Sequence, residues 1–315
     1  MRTYIIRRLL TGVIILFILS VVVFVLLRLA PGDIGKLRCG IGAPPECIEA
    51  VRAELGLDDP YPVQYGRWVR QLVTGDLGVS YFNKQPVREA LQQRLPVTVE
   101  LLIITVLFTV AIGIPFGVIS AVWRNSLADY GARVSAVMGL SVPNFWVATL
   151  VLLIPLQYWG YAPPLGTRID FFDNPVGNLK QFVPPAAVLS LVSAAGIMRL
   201  TRSSLLEVMQ TDYIRTARSK GLRDSLVVSR HALKNAMIPV VTVLGLQVSG
   251  LLGGSVIIEQ IFVLPGLGQY ELQALFARDY PVVQSLTMYV GAVVVLMNLL
   301  VDISYAWLDP RIRYS

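Results

Sequence analysis

The sequence predicts an all-α membrane protein: six transmembrane helices, an extracytoplasmic cap between helices 1 and 2, and a basic cytoplasmic helix between helices 4 and 5. Three observations predict it. Of the 315 residues, 55% are hydrophobic and 15% charged, against about 45–50% and about 25% in soluble domains. Six apolar runs are long enough to cross about 30 Å of hydrocarbon. The basic residues gather on alternate loops, as the positive-inside bias requires.

The first run, 9–29, is interrupted over 9–27 only by Thr11, Gly12 and Ser20. At roughly −0.3 to −0.6 kcal/mol per apolar residue it favours insertion by several kcal/mol. Arg2, Arg7 and Arg8 precede it like the n-region of a signal peptide. Its core is longer than the usual 7 to 15 residues and no small-x-small site follows, so it reads as an uncleaved helix with its N-terminus inside. The other runs are 99–122, 134–156, 185–205, 237–258 and 282–306, the fourth diluted by Ser190, Ser193, Gly196 and Arg199. Pro115, Pro143 and Pro155 sit inside runs and predict bends.

This order puts Arg124, Arg133, Arg199, Arg202, Arg215, Arg218, Lys220, Arg223, Arg230, Lys234, Arg311 and Arg313 in the cytoplasm, with both termini. The short opposite loops, 157–184 and 259–281, hold only Arg168, Lys180 and Arg278. The net charge of +7 therefore reflects topology first. Residues 1–29 form the N-terminal tail and first span, 30–98 the cap, and 99–315 the core, which includes the basic segment 207–239. Turn signals stud the cap at Pro31, Gly32, Asp58, Asp59, Pro60, Pro62 and Gly75. Cys39 and Cys47 both fall there; outside the cytoplasm a disulfide would contribute roughly 2–3 kcal/mol, two unpaired thiols being the alternative.

In the basic segment Asp212 suits an N-cap for a helix over 213–220 and Gly221 a left-handed C-cap. Asp224 or Ser225 starts a second helix, limited by Pro239. Leu206, Met209, Tyr213 and Ala217 form one apolar stripe, with Arg215, Arg218 and Lys220 off it. Such a pair fits a groove on a partner, Ala217 and Gly221 permitting close approach. By composition alone, a solvated loop that merely obeys the positive-inside bias is the favoured reading of the charge. DNA binding is disfavoured, because two flanking spans leave almost no linker to reach a major groove. Leu222 and the glycine turn fit an interfacial lipid-binding helix poorly.

The run Asp212, Tyr213, Ile214, Arg215, Thr216, Ala217, Arg218, Ser219, Lys220, Gly221, Leu222, followed by His231, Ala232, Leu233, Asn235 and Pro239, resembles the cytoplasmic signature of permease subunits of bacterial ABC importers. The oligopeptide, dipeptide and nickel branch is the most similar. LGLDDPYPVQYGRWV at 55–69 and GDLGVSY at 75–81 resemble its first extracytoplasmic loop. Gly253, Gly254, Glu259, Phe262, Pro265, Gly266, Leu267 and Gly268, then Arg278, Asp279, Tyr280 and Pro281, resemble its turn after the fifth span. Asn298, Asp302, Tyr305, Asp309, Pro310 and Arg311 match near the end. Ser219, the cysteine pair and the loop 163–184 depart from the pattern.

The resemblance implies a multi-pass protein of the bacterial inner membrane. Asp212, Tyr213, Arg215, Ala217, Arg218, Lys220, Gly221 and Leu222 would then be the ATPase-coupling residues. It also implies a second homologous permease, two cytoplasmic ABC ATPases holding ATP and Mg, and an extracytoplasmic solute-binding protein. The implied cargo is an oligopeptide or dipeptide; nickel chelates, glutathione and oligosaccharides are alternatives.

No cofactor, metal or catalytic set is expected in the chain itself. Gly35 and Lys36 lack the upstream glycine and following Ser or Thr of a phosphate loop. The lone His231 is accompanied by no Ser, His and Asp set or metal cluster and reads as a capping or packing residue on a cytoplasmic helix. Asn144, Gln247, Asn298 and Asp302 are polar groups within spans, and Asp302 reads as a structural partner near a helix end. Gly113 with Gly117, and Gly250 with Gly254, have the spacing of close helix contacts, either within the chain or with a second permease. An ion-coupled secondary transporter should show inverted repeats, and none is visible. A membrane-embedded regulator would need a sensor or DNA-reaching domain.

Overall fold

The computed structural model describes residues 2–29, 34–40 and 42–308. The turn signals at Pro31 and Gly32 and the tail residues Asp309, Pro310, Arg311 and Arg313 lie outside them. The described helices are α1 (Arg2–Leu29), α2 (Ile34–Cys39), α3 (Pro45–Leu55), α4 (Tyr61–Val73), α5 (Val87–Val122), α6 (Leu127–Ser141), α7 (Asn144–Trp159), α8 (Pro175–Met209), α9 (Asp212–Ser219), α10 (Asp224–Leu226), α11 (Leu233–Ile261), α12 (Leu267–Ala277) and α13 (Tyr280–Leu308). A π-helical turn, Val227–Ala232, joins α10 to α11. Among the described residues the only strand-like pairing is a bridge between Val79 and Pro86. Two compact units emerge, Met1–Pro96 with Gln269–Leu296 and Val97–Gly268 with Met297–Ser315.

In the first unit α1 has 28 residues, about 42 Å at 1.5 Å each. Leu9, Ile14, Phe17 and Leu26 are exposed on it, as lipid contact demands, while Val23, Phe24 and Leu27 are buried. α4 docks there through rings: Phe24 lies 5.3 Å from Tyr65 and 6.1 Å from Trp68. Ser20 Oγ and Tyr65 OH hydrogen-bond at 2.8 Å. α3 starts with Pro at its first position and ends at Gly56, φ 61°, the usual proline entry and glycine exit. A disulfide between Cys39 and Cys47 ties α2 to α3. Buried Asp279 accepts from Ser80 Oγ and from Tyr81 N (3.1 Å), and Tyr280 OH donates to Leu27 O at 2.6 Å. These bonds hold the segment after α4 and the end of α1 to the start of α13.

In the second unit α8 is the central element, packed by α6, α7 and α11. Phe182, Leu189, Ile197 and Leu205 along it are buried. Gly113 and Gly117 let α5 approach it: a Cβ on either would lie 2.9 Å from Ala194 O and 2.7 Å from Met198 O, respectively. Both glycines thus serve contact within the chain.

Five described helices are long and apolar enough to cross a bilayer, and there are six if α6 and α7, bent by 97° at their break, are one broken span and not a re-entrant loop. The expected third span, 134–156, is therefore two helices. Val142 precedes Pro143 in an extended conformation, ψ 126°, because proline disfavours the α region for the residue before it. The second helix begins at Val87, not 99, and the fourth at Pro175, not 185. Pro184 and Pro185 lie inside α8 without ending it. Nor does Pro239 limit a separate second helix after Gly221: the chain continues from Asp224 through the π turn into α11 with Pro239 inside. A π turn adds a residue to the helical repeat and redirects the axis without ending the helix.

Candidate docking site

The segment from α8 to α11 forms a hairpin projecting from the second unit. Thr211, φ −73° and ψ 153°, is the N-cap, and Asp212 is the first helical residue. There its charge complements the helix N-terminus. α9 ends at Ser219, and Gly221 takes φ 78°, the left-handed conformation expected of it. No atom lies within 4 Å of where a Gly221 Cβ would sit.

Ile214 (0% exposed) and Ala217 (9%) pack on Ala121, Leu205, Val227, Ala232 and Ala236. The expected stripe is thus corrected at its centre. Ile214 faces inward, while Tyr213 is 44% exposed and accepts a 2.7 Å hydrogen bond from Asn235 Nδ2. The break at Gln210 and Thr211 resets the helical phase, so α9 does not continue the face of α8. Ala217 is covered by its own chain and is not free for a partner's approach.

Asp212, Arg215, Arg218, Lys220 and Gly221 are exposed, and Leu222 is half-buried against the hairpin core. Arg215 pairs with Asp212 at 3.4 Å and Arg218 with Asp224 at 3.0 Å. Exposed pairs of this kind contribute about 0–1 kcal/mol. They are readily exchanged for contacts to another protein.

Behind the hairpin lies a buried ion pair that sequence reading missed. Asp129, 0% exposed, accepts from Arg202 Nε at 2.9 Å and Nη2 at 3.0 Å, from Ser120 Oγ and from Asn125 N (3.0 Å). Arg133 Nε adds a contact at 3.4 Å. The bidentate pair ties the turn between α5 and α6 to α8, the helix leading into the hairpin. The sequence signal was a single acid three residues after the N-cap Ser126, and its partner is 73 residues away.

A second polar lock closes α11. Glu259, fully buried, accepts from Thr98 Oγ1 at 2.8 Å, and that hydroxyl accepts from Leu267 N at 2.9 Å. A Cβ on Gly266 would overlap the Glu259 carboxylate, and one on Gly268 would lie 2.7 Å from Val256 Cα. The loop 163–184 is likewise ordered from beneath. Buried Gln181 accepts from Ile169 N (3.0 Å) and donates to Thr167 O (2.8 Å), while Asn178 donates to Glu100 Oε1 (2.6 Å).

The other polar candidates are dispersed. Asn298 accepts from Ser249 Oγ at 3.2 Å. Asn144 Oδ1 and Gln247 Oε1 are buried without a hydrogen-bond partner. Asp302 is half-buried on α13 and His231 half-buried in the π turn. Gly250 is exposed, with open space where a side chain would be; the surroundings of Gly254 lie outside the described side chains.

A helical multi-pass membrane protein presenting a short, charged, exposed helix on a small apolar hairpin core is the class that fold and site define. Residues 113–314 match the family model described as binding-protein-dependent transport system inner membrane component, and residues 1–102 match that of the N-terminal part of such components. A putative peptide transport system permease protein of Brucella abortus is 45% identical over the full length of both chains. An oligopeptide transport system permease protein of Bacillus subtilis and a glutathione transport system permease protein of Pectobacterium atrosepticum are each 40% identical, again with both chains fully covered. Among solved structures, a chain of the MetNI methionine ABC transporter in inward-facing conformations has a TM-score of 0.56 at 19% identity, covering 71% of this chain and 98% of that one. That likeness concerns the fold. The chain belongs to the family of inner-membrane components of binding-protein-dependent transport systems.

Proposed function

We propose that the chain is the permease subunit of an ATP-driven importer of oligopeptides or dipeptides, with ATP and Mg held by two separate cytoplasmic ATPases. The observation carrying the coupling role is the division of α9. Ile214 and Ala217 secure it to its own chain, while Asp212, Tyr213, Arg215, Arg218, Lys220 and Gly221 are left for contact with an ATPase cleft. Movement of α9 with the ATPase passes to α8 through the hairpin core, and from α8 to α6 through the Asp129–Arg202 pair. The spans then alternate between inward- and outward-open states.

In this reading the termini and hairpin are cytoplasmic, and the disulfide-tied segment before α5 faces outside toward a solute-binding protein. That placement agrees with the bond, since the cytosol keeps thiols reduced. A second permease completes the path, and the open face at Gly250 suits contact with it. The peptide reading draws on the named cargo of the relatives. Glutathione, also named among them, is the second reading.

Gentle purification of the tagged chain is expected to recover ATPase subunits, and recovering none would sink the coupling role. Uptake of labelled dipeptide, in competition with unlabelled oligopeptide and glutathione, decides the cargo. Competition by glutathione alone would replace peptide with it.

A further inference from the structure

The first unit contains a cleft of about 330 Å³ that the import reading does not use. Arg28, Arg38, Arg67 and Lys84 line it together with Trp68, Tyr81, Ser80 and Gln284, against only two acids, Glu54 and Asp76. Three of the four cations are already engaged. Arg38 bridges Glu54 at 3.2 Å, Lys84 reaches the same carboxylate at 4.0 Å, and Arg67 bridges Asp59 at 2.6 Å.

Arg28 differs. Its Nη2 donates to the neutral Gln64 Oε1 at 3.1 Å, and its guanidinium lies 3.9 Å from the Phe24 ring centroid and 5.0 Å from that of Tyr280. Among the described residues no carboxylate pairs with it. Its Nη1 is buried with no hydrogen-bond partner. Gln284, 4% exposed, has its Nε2 in the same condition. Buried donors are nearly always satisfied in folded proteins, so two left unpaired beside one cleft call for an acceptor. A guanidinium without a counter-charge calls for an anionic one, and a planar carboxylate matches its fork.

We propose that this cleft is a binding site for a small carboxylate, the C-terminal carboxylate of a short peptide being taken by Arg28 and Gln284. The volume falls at the lower end of the roughly 300–1,000 Å³ usual for small-molecule sites, which limits the ligand to a few residues. Trp68 and Tyr81 supply the apolar and aromatic wall such sites share. Burial pushes the Tyr81 phenol up to about 12 against the pull of Arg28, so it remains a protonated donor at neutral pH. Choosing a peptide over another small carboxylate rests on the proposed cargo; the need for a carboxylate does not.

The test uses the full-length chain, with the subunits that copurify with it and without binding protein, in lipid nanodiscs. Trialanine and its C-terminal amide are titrated calorimetrically. The amide is expected to bind roughly 10- to 100-fold more weakly, the loss associated with one charge-assisted hydrogen-bonded contact. Gln284→Leu should weaken trialanine in the same direction and leave the amide unchanged. Equal affinity of acid and amide in the unaltered protein overturns the site without recourse to any variant, and so does an unchanged trialanine affinity in Gln284→Leu. Peptide uptake by the assembled transporter is read separately. Acid-selective binding without peptide uptake would sink the cargo reading and keep the site.

Discussion

The two glycine turns that flank α11 use glycine for opposite reasons. At Gly221 the backbone is left-handed, φ 78°, and the space beyond Cα is empty. At Gly266 and Gly268 the space is filled, by the Glu259 carboxylate and the Val256 backbone. The first glycine supports an exposed turn that leaves room for something outside the chain. The second pair supports a buried polar lock. Two stretches that look alike as helix, glycine, helix patterns therefore respond differently to substitution.

The largest effect is expected away from both turns, at the pair that anchors the hairpin. Asp129→Ala leaves Arg202 without its carboxylate and should cost about 3–5 kcal/mol, toward the lower end because Arg202 retains some solvent. Thermal unfolding in detergent measures it, and an unchanged midpoint would show that the hairpin needs no buried anchor. Gly268→Ala comes next at about 1–3 kcal/mol, because the added methyl meets main chain that has little room to move. Thr98→Val is expected to cost about 1–3 kcal/mol by removing the hydroxyl between Glu259 and Leu267 N. For both, stability and uptake should fall together.

Gly221→Asp should change stability least, by about 1 kcal/mol, since only the left-handed backbone is penalised. Uptake should nevertheless fall at least about tenfold, an effect equivalent to 1.4 kcal/mol of lost coupling. A variant that unfolds before it stops transporting would erase the contrast between the turns.

Legibility in the sequence followed the range of the interaction. Five spans and the glycine exit of α9 could be read because hydropathy and left-handed turns are local properties. The break in the third crossing was only half legible. Pro143 predicted a bend, but the apolar run 134–156 continues through Val142 and conceals two helices. The inward face of α9 was misplaced by one residue because a phase reset at Gln210 and Thr211 leaves no mark in periodicity. The Asp129–Arg202 pair and the Arg28 cleft depend on residues 73 and 256 positions apart, beyond any spacing rule.

The bend between α6 and α7 bears on where water can enter the membrane. With 15 and 16 residues, the two helices reach about 22 and 24 Å, so neither half crosses alone. Helix ends leave backbone carbonyls without partners, and at this break only Val142 N returns to one of them, Met138 O at 3.1 Å. Pro143 has no N–H to offer. Hydrocarbon does not tolerate such groups, so the break must border water or protein. Beside it lies a cleft of about 420 Å³ lined by Val142, Pro143, Asn144 and Ile257. Water in that cleft would satisfy the carbonyls at the break wherever neighbouring protein does not.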